Sequence, residues 1–166
     1  MGDSLMEKLL GVCKLLEKYQ IHYLIIGGTA VALNGYFRIS SNAAGKLADK
    51  LDINIWYNPT YTNYFNFLKV LEELGQDISK FRDEQIPNPR KSFFKFEFDD
   101  FTFDALPSIK ADIKFFEAYQ RKGTVDIEGT PIHYISYLDL IEDKKATARK
   151  KDMDDIEHLK KIRGED

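Results

Sequence analysis

The stretch Leu51-Asp52-Ile53-Asn54-Ile55-Trp56 decides the fold, together with Ile25-Ile26-Gly27-Gly28-Thr29 before it. The earlier stretch predicts a buried strand that ends in two glycines and turns into a helix, an arrangement that can hold phosphate groups. The later stretch alternates between apolar and polar residues, which predicts a strand from 51 to 57. Side chains two apart on a strand share a face, so Asp52 and Asn54 point the same way. An Asp-x-Asp pattern on such a strand is typical of a metal site, and here its second aspartate is an asparagine.

The composition predicts one soluble domain. The 166 residues are 43% hydrophobic and 31% charged, with a net charge of −3 that gives no global attraction to nucleic acid. The single cysteine, Cys13, excludes a disulfide framework within the chain and fits a reducing compartment. The start of the sequence lacks a signal-peptide pattern, and the apolar runs are too short to span a membrane. We therefore expect a cytoplasmic protein with no membrane partner.

The periodicity predicts the order α-β-α-β-α-β-β-α-β-β-α-α, which gives an α+β fold with a mixed sheet flanked by helices. An amphipathic helix is expected over 4–19, and another over 60–74 that turns Phe65, Leu68 and Leu71 toward the core. The aromatic residues from Tyr57 to Phe67 are expected to pack in the core rather than stack on bases. Residues 37–49 and 76–91 read as surface loops.

Two hairpins are predicted in the second half of the chain. The clearer one joins strands at 92–98 and 101–106 through Asp99-Asp100. Counting back from that two-residue loop places Lys95 opposite Asp104 on the polar face. The second hairpin, at 124–128 and 130–135, turns at Gly129. The tail from 136 to 163 reads as two helices that divide near Lys150.

These residues together indicate a phosphoryl-transfer site. Mg²⁺ prefers hard oxygen ligands, and Asp52 and Asp104 supply them if their strands are neighbours. The Gly27-Gly28 turn would then hold the phosphates. Each piece alone also has a structural explanation: a tight turn, a surface aspartate, or a cross-strand pair between Lys95 and Asp104 rather than a clamp on the substrate.

Other chemistries lack their motifs in this sequence. No P-loop, dinucleotide-binding or nucleophile-elbow pattern occurs. The three histidines are scattered without the spacing of metal ligands, and one cysteine makes a zinc site a poor match.

The chain resembles the nucleotidyltransferase superfamily in Gly27-Gly28, Arg38, Asp52-Ile53-Asn54 and Asp104. Within it, the sequence is most similar to small bacterial proteins grouped with the AbiEii-type toxins of toxin–antitoxin systems, the minimal nucleotidyltransferase group. Their C-terminal signature is matched by a set of tail residues: residues 134–141, Lys144, Ala148, Arg149, Lys151-Asp152 and Asp155-Ile156.

This resemblance implies a polymerase-β-like nucleotidyltransferase core at 1–135, with a C-terminal helical segment at 136–166 packed on the same domain. It further implies roles for eight residues, and the hairpin count adds Lys95 to those expected at the site. Those expected to hold the nucleotide are Gly27, Gly28, Thr29, Lys95, Lys144 and Arg149. Those expected to hold one or two Mg²⁺ ions are Asp52, Asn54 and Asp104. Asp52 and Asp104 are the expected catalytic residues, with Asp104 as the base.

Two departures from the family pattern stand out. Asn54 replaces the usual second aspartate, and since an amide oxygen brings no charge, it should weaken binding of a metal pair. The segment between Arg38 and Asp52 is also longer than the family's usual spacing, so the role of Arg38 stays open.

The resemblance therefore implies Mg²⁺-dependent transfer of a nucleoside monophosphate from an NTP to an acceptor hydroxyl on RNA, protein or a small molecule. A role as the toxin of a toxin–antitoxin pair, with a cognate antitoxin protein as partner, goes with it. The first alternative is a catalytically impaired relative that acts by binding nucleotide or a partner. The second is an interaction module with no nucleotide site.

Overall fold

One mixed sheet of six strands forms the centre of this computed structural model, which describes residues 2–35 and 51–165. The strands are β1 (Tyr23–Ile26), β2 (Leu51–Tyr57), β3 (Phe94–Glu97), β4 (Phe101–Leu106), β5 (Gly123–Ile127) and β6 (Thr130–Tyr134). Their order across the sheet is β3-β4-β2-β1-β6-β5. The expected α+β architecture is confirmed. The predicted loop at 37–49 and Arg38 lie outside the described residues.

Helices pack around this sheet. They are α1 (Gly2–Lys18), α2 (Gly27–Leu33), α3 (Tyr61–Glu73), α4 (Ser79–Arg82), α5 (Phe115–Gln120), α6 (Tyr137–Thr147) and α7 (Lys150–Ile162). The predicted loop at 76–91 is wrong in detail, because it contains α4 and a 3-10 turn at Pro89–Lys91. The Ser79 N–H donates to Asp77 Oδ1 at 3.0 Å, which starts α4 locally. Pro89 sets the backbone angle that begins the 3-10 turn.

Aromatic side chains fill the core between α3 and the sheet. Tyr57 stacks on Phe67 with ring centroids 5.9 Å apart. The expectation that Phe65 and Tyr61 pack in the core is wrong, because Phe65 is 43% and Tyr61 59% exposed. The helical period places Tyr64, Phe67, Leu68 and Leu71 on the buried stripe and leaves Phe65 beside it.

The tail forms two helices, as predicted, separated at Ala148 and Arg149. Ala148 lies in the left-handed region with φ of +52°, which ends α6 and redirects the chain into α7. Leu140 and Leu159, one from each helix, are fully buried in the same apolar cluster as the sheet. The division of the chain at residue 135 stays a prediction.

Candidate functional site

Strand register places the predicted site residues side by side. Strands β2 and β4 are parallel neighbours, with Asn54 opposite Asp104 and Asp52 opposite Thr102. Strand β3 pairs with β4 in the antiparallel sense and sets Lys95 opposite Asp104, as the hairpin count predicted. The sequence-based condition that the two aspartate-bearing strands be neighbours is therefore met.

Gly27 closes against Asn54 from the adjacent strand. Strand β1 runs antiparallel to β2 and ends with Ile26 opposite Asn54, so Gly27 follows directly beside that asparagine. Gly27 has φ of +71°, and a Cβ built on it would stand 2.8 Å from Asn54 Nδ2. Both the backbone angle and the close approach require glycine here.

Two threonine hydroxyl groups hold Asp52. The Thr102 hydroxyl donates a hydrogen bond to Asp52 Oδ1, and the Thr29 hydroxyl donates to the Asp52 carbonyl oxygen at 3.2 Å. Thr29 therefore contacts the backbone of the site strand. No function was predicted for Thr102, although strand alternation puts it on the same face as Asp104.

Asp104 is half-buried, and its Oδ1 atom has no hydrogen-bond partner among the described residues. Burial raises the pKa of this carboxyl above its ordinary value, the charge of Lys95 opposes the rise, and the charge of Asp52 adds to it. A buried carboxylate oxygen without a partner is costly in the metal-free protein. It is therefore ready to bind a cation or to accept a proton.

A cavity of about 620 Å³ opens over these residues. Eight of the nine sequence-predicted site residues line it: Gly27, Gly28, Asp52, Asn54, Lys95, Asp104, Lys144 and Arg149. Thr29 does not belong to this lining, and its hydroxyl is directed to the backbone of Asp52 instead.

Two of the cations on the cavity wall, Lys144 and Arg149, are held by aspartates of α7. Lys144 is 4% exposed, and its Nζ lies 3.1 Å from both Asp152 Oδ1 and Asp155 Oδ2. Arg149 donates to Asp152 from Nε at 2.7 Å and from Nη2 at 3.2 Å. Burial alone would raise the pKa of Asp152, but hydrogen bonds from Arg149, Thr147 and Lys144 outweigh it and hold that pKa well below its ordinary value.

This ion-pair cluster of Lys144, Arg149, Asp152 and Asp155 differs from a solvated basic helix face. Its two cations and two carboxylates balance, so it adds little net charge to the cavity. The Arg149 side chain is still 62% exposed and can reach a ligand, whereas Lys144 is enclosed. Sequence reasoning placed both cations at the site but missed the carboxylates that fix them.

Searches against known proteins bear on the fold. No protein-family model matches the sequence, and no curated protein matches it significantly. Among solved structures, the chain is similar to the lincomycin-bound lincosamide antibiotic adenylyltransferase LnuA, with a TM-score of 0.56 and 18% identity over 94% of this chain and 96% of that one. The chain has the nucleotidyltransferase fold.

Two further solved structures share the nucleotidyltransferase fold with this chain. One is the antibiotic-resistance factor ANT(2'')-Ia, with a TM-score of 0.56 and 18% identity over 96% of this chain and 82% of that one. The other is an antigenic nucleotidyltransferase-like protein from Paracoccidioides brasiliensis, with a TM-score of 0.54 and 14% identity over 96% and 77% of the two chains. At identities of 14–18%, these similarities show a shared fold and nothing finer.

The donor set fits one Mg²⁺ ion on this nucleotidyltransferase fold. Asp52 and Asp104 offer carboxylate oxygens and Asn54 an amide oxygen, all of the hard type that Mg²⁺ prefers. The unpartnered Oδ1 of Asp104 is the observation that favours a cation here. Within 2–35 and 51–165, no three His, Cys, Asp or Glu side chains are grouped so that they could hold a metal ion.

In the part of the chain that the structure describes, no helix combines the length and apolar character needed to cross a bilayer.

Proposed function

We propose that this protein transfers a nucleoside monophosphate from an NTP to a hydroxyl group of an acceptor, with Mg²⁺ as its cofactor. The observation that carries the proposal is Asp104, whose unpartnered, half-buried carboxylate lies opposite Asn54 in a cavity bordered by Gly27 and Gly28. A raised pKa, a hard oxygen donor set and nearby backbone N–H groups are what phosphoryl transfer uses.

Each residue at the site has a proposed part. Asp52, Asn54 and Asp104 would hold Mg²⁺, which when bound neutralises charge on the triphosphate. Gly27 and Gly28 would bring backbone N–H groups close to the phosphates. Thr29 would keep the Asp52 backbone in place through its hydroxyl.

Cationic side chains would position the triphosphate. Lys95 and Arg149 are exposed on the cavity wall and supply positive charge to the phosphate oxygens. Lys144 is enclosed between Asp152 and Asp155, so it would contribute mainly by holding α6 and α7 together beside the cavity.

Asp104 would be the base. The acceptor oxygen bonds to the α-phosphorus, the bond from that phosphorus to pyrophosphate breaks, and the proton of the acceptor hydroxyl passes to the Asp104 carboxylate. Asp104 suits this part because its carboxylate lines the cavity and its Oδ1 atom has no hydrogen-bond partner among the described residues.

The resemblance and the fold neighbours bear on the acceptor and the biological role. LnuA is named as an adenylyltransferase of lincosamide antibiotics, and ANT(2'')-Ia as an antibiotic-resistance factor. The resemblance to AbiEii-type proteins instead favours a cytoplasmic toxin with a cognate antitoxin protein and an RNA or protein acceptor. The proposed acceptor is therefore a hydroxyl group on RNA, on a protein or on a small molecule.

Asn54 favours a second candidate function: binding of nucleotide or a partner without turnover. An asparagine at this position leaves two carboxylates at the site, which weakens binding of a metal pair. Under this proposal the cavity still takes MgNTP, but pyrophosphate is not released.

One experiment separates these candidates. Each of the four MgNTPs is titrated calorimetrically into the wild type, and pyrophosphate release is then assayed with total bacterial RNA, protein and small-molecule fractions as acceptors. The same assays on Asp104→Asn test the site, with Asp154→Asn, an exposed aspartate on α7, as the matched control. Transfer is supported if MgNTP binds and if the wild type and Asp154→Asn release pyrophosphate whereas Asp104→Asn does not.

The other outcomes are equally informative. Binding without release, with release gained in Asn54→Asp, supports the non-catalytic candidate. Absence of binding to any MgNTP refutes both and leaves an interaction module. Equal release by wild type and Asp104→Asn refutes the assigned site.

A further inference from the structure

The cleft continues past Asp104 into a second cavity of about 810 Å³. The two cavities share Gly27, Asn54 and Asp104 from the sheet, and Lys144 and Arg149 from the tail. Asp104 therefore faces two spaces at once. A base that lies between two cavities fits a reaction in which one cavity holds the NTP and the other holds the acceptor.

Strand β4 changes character along its site face. Thr102, Asp104 and Leu106 point the same way because they are two residues apart. Thr102 lines the first cavity beside Asp52, and Leu106 lines the second. One face of one short strand therefore runs from a polar end, through the proposed base, to an apolar end.

One part of the wall of the second cavity is apolar and open to solvent. Phe93 is 62% exposed, and Leu106 and Ile109 are half-buried, so all three leave apolar surface at the cavity. Sites for small ligands typically have such walls with a few polar groups, and volumes of roughly 300–1,000 Å³.

The polar part of this wall is already ordered. Asp143 Oδ1 on α6 accepts hydrogen bonds from the backbone N–H groups of Lys110 at 2.9 Å and Ala111 at 3.3 Å. These two bonds hold the loop after β4 against α6. The loop that carries Ile109 is therefore held in place without a ligand, and little ordering cost opposes binding.

The charge of this cavity does not match a nucleic acid. Its lining holds three cationic side chains and three carboxylates: Lys110, Lys144 and Arg149, and Asp104, Asp143 and Asp152. A channel for single-stranded nucleic acid combines a positively charged groove with stacking aromatic side chains. This cavity combines a balanced charge with an aliphatic and aromatic wall.

We propose, resting on the transfer function above, that the second cavity is the acceptor subsite and takes a small molecule with an apolar body and a hydroxyl group. Phe93, Leu106 and Ile109 contact the apolar body. The hydroxyl donates to the Asp104 carboxylate, which places its oxygen between the two cavities.

The test compares wild type with Phe93→Ser and with Phe116→Ser. Phe93 lines the second cavity, whereas Phe116 on α5 is 71% exposed and lines neither cavity, so it controls for loss of a surface aromatic residue. Affinities for the four MgNTPs are measured first. Each protein is then incubated with α-labelled NTP and, in separate reactions, with the RNA, the protein or the small-molecule fraction of a bacterial lysate. The small-molecule fraction contains everything below roughly 3 kDa, which includes drug-sized ligands.

The expected result is unchanged NTP affinity in all three proteins, with label entering the small-molecule fraction. The rate of labelling at low acceptor concentration falls about tenfold in Phe93→Ser, as loss of one aromatic contact predicts, and stays within about twofold of wild type in Phe116→Ser. Label in RNA or protein alone, or equal labelling by the two variants, overturns the proposal.

A binding measurement decides the case in which no NTP binds and the transfer function fails. 2-Naphthol, an apolar molecule with one hydroxyl, serves as the probe in saturation-transfer NMR. Transfer to 2-naphthol from wild type and Phe116→Ser but not from Phe93→Ser supports a hydroxyl-bearing small-molecule site at this cavity. Absence of transfer from wild type, or equal transfer from all three proteins, overturns it.

Discussion

Asn54 and Asp104 are register partners on two adjacent parallel strands, so an amide and a carboxylate lie side by side. The nucleotidyltransferase pattern that the sequence resembles has two carboxylates at these places. The neutral amide spares Asp104 a like charge beside it. Charge on Asp104 is already disfavoured, since burial and the charge of Asp52 both raise its pKa. We therefore expect the asparagine to favour stability of the protein at the expense of cation binding.

Restoring the aspartate should reverse this balance. We expect Asn54→Asp to bind Mg²⁺ about tenfold more tightly, because a second full charge joins the donor set. We also expect it to lower the free energy of unfolding of the metal-free protein by about 1 kcal/mol, since like charges then lie opposite each other. Calorimetric Mg²⁺ titration and urea unfolding measure the two effects. Asn66→Asp on α3 is the control, and equal Mg²⁺ affinity in both variants would contradict the donor assignment.

Gly27 gives a test of the close approach between strands. Alanine there adds left-handed strain and a Cβ only 2.8 Å from Asn54 Nδ2. Gly129→Ala is the matched control, because Gly129 has φ of +80° but no atom within 4 Å of its added Cβ. We expect about 1 kcal/mol of destabilisation in the control, from strain alone, and about 2 kcal/mol or more in Gly27→Ala, both by urea unfolding. Equal losses would show that the contact with Asn54 is unimportant.

Thr102 acts as a positioning residue for Asp52. Its hydroxyl donates to the Asp52 carboxylate, so Thr102→Val should leave that carboxylate free to rotate while keeping the shape of the strand residue. We expect kcat/KM for nucleotidyl transfer to fall about tenfold, with the free energy of unfolding within about 0.5 kcal/mol of wild type.

Two further variants of threonine keep this prediction specific. Thr102→Ser retains the hydroxyl and should restore most of the activity. Thr124→Val removes a strand hydroxyl on β5, at the opposite edge of the sheet, and should leave kcat/KM unchanged. Loss of activity in Thr102→Ser comparable to that in Thr102→Val would point to packing rather than the hydrogen bond.

Asp152 should make stability depend on pH. Removing its charge leaves the enclosed Lys144 with one carboxylate partner, so we expect Asp152→Asn to lose about 3 kcal/mol at pH 7. The folded pKa of Asp152 lies below its ordinary value of 3.8, so its stabilisation is full above that value and is lost as the pH falls through the folded pKa. The gap between wild type and variant should therefore narrow below about pH 4.

Urea unfolding from pH 7 downward measures this gap. Asp154→Asn, an exposed aspartate on the same helix, should differ little from wild type at each pH. A gap that stays constant into acid would mean that the ion pairs with Lys144 and Arg149 do not depress the pKa of Asp152.

Sequence alone predicted the parts of the site that follow from strand geometry. The period of two fixed which residues of β2 and β4 share a face, and a two-residue turn fixed Lys95 opposite Asp104 by counting. That β2 and β4 are parallel neighbours could only be posed as a condition, because a crossover through α3 separates them in sequence.

The side-chain contacts within the tail were what the sequence could not resolve. Lys144 and Asp152 belong to different helices, and their contact depends on how the chain turns at Ala148. No local sequence pattern predicted the left-handed backbone of Ala148. The resemblance marked both residues without pairing them. The exposure of Phe65 was missed for a similar reason, since several aromatic residues on α3 could have formed the buried stripe.

The gradient along the site face of β4 has a consequence for how such a cleft can diversify. Leu106 and the loop after it border one cavity, whereas Thr102 borders the other, with Asp104 between them. Substitutions at the apolar end can accumulate without disturbing the Thr102–Asp52 hydrogen bond at the polar end. Natural selection, or a mutant library confined to 106–110, can thereby reshape one half of the cleft while the other half keeps its chemistry.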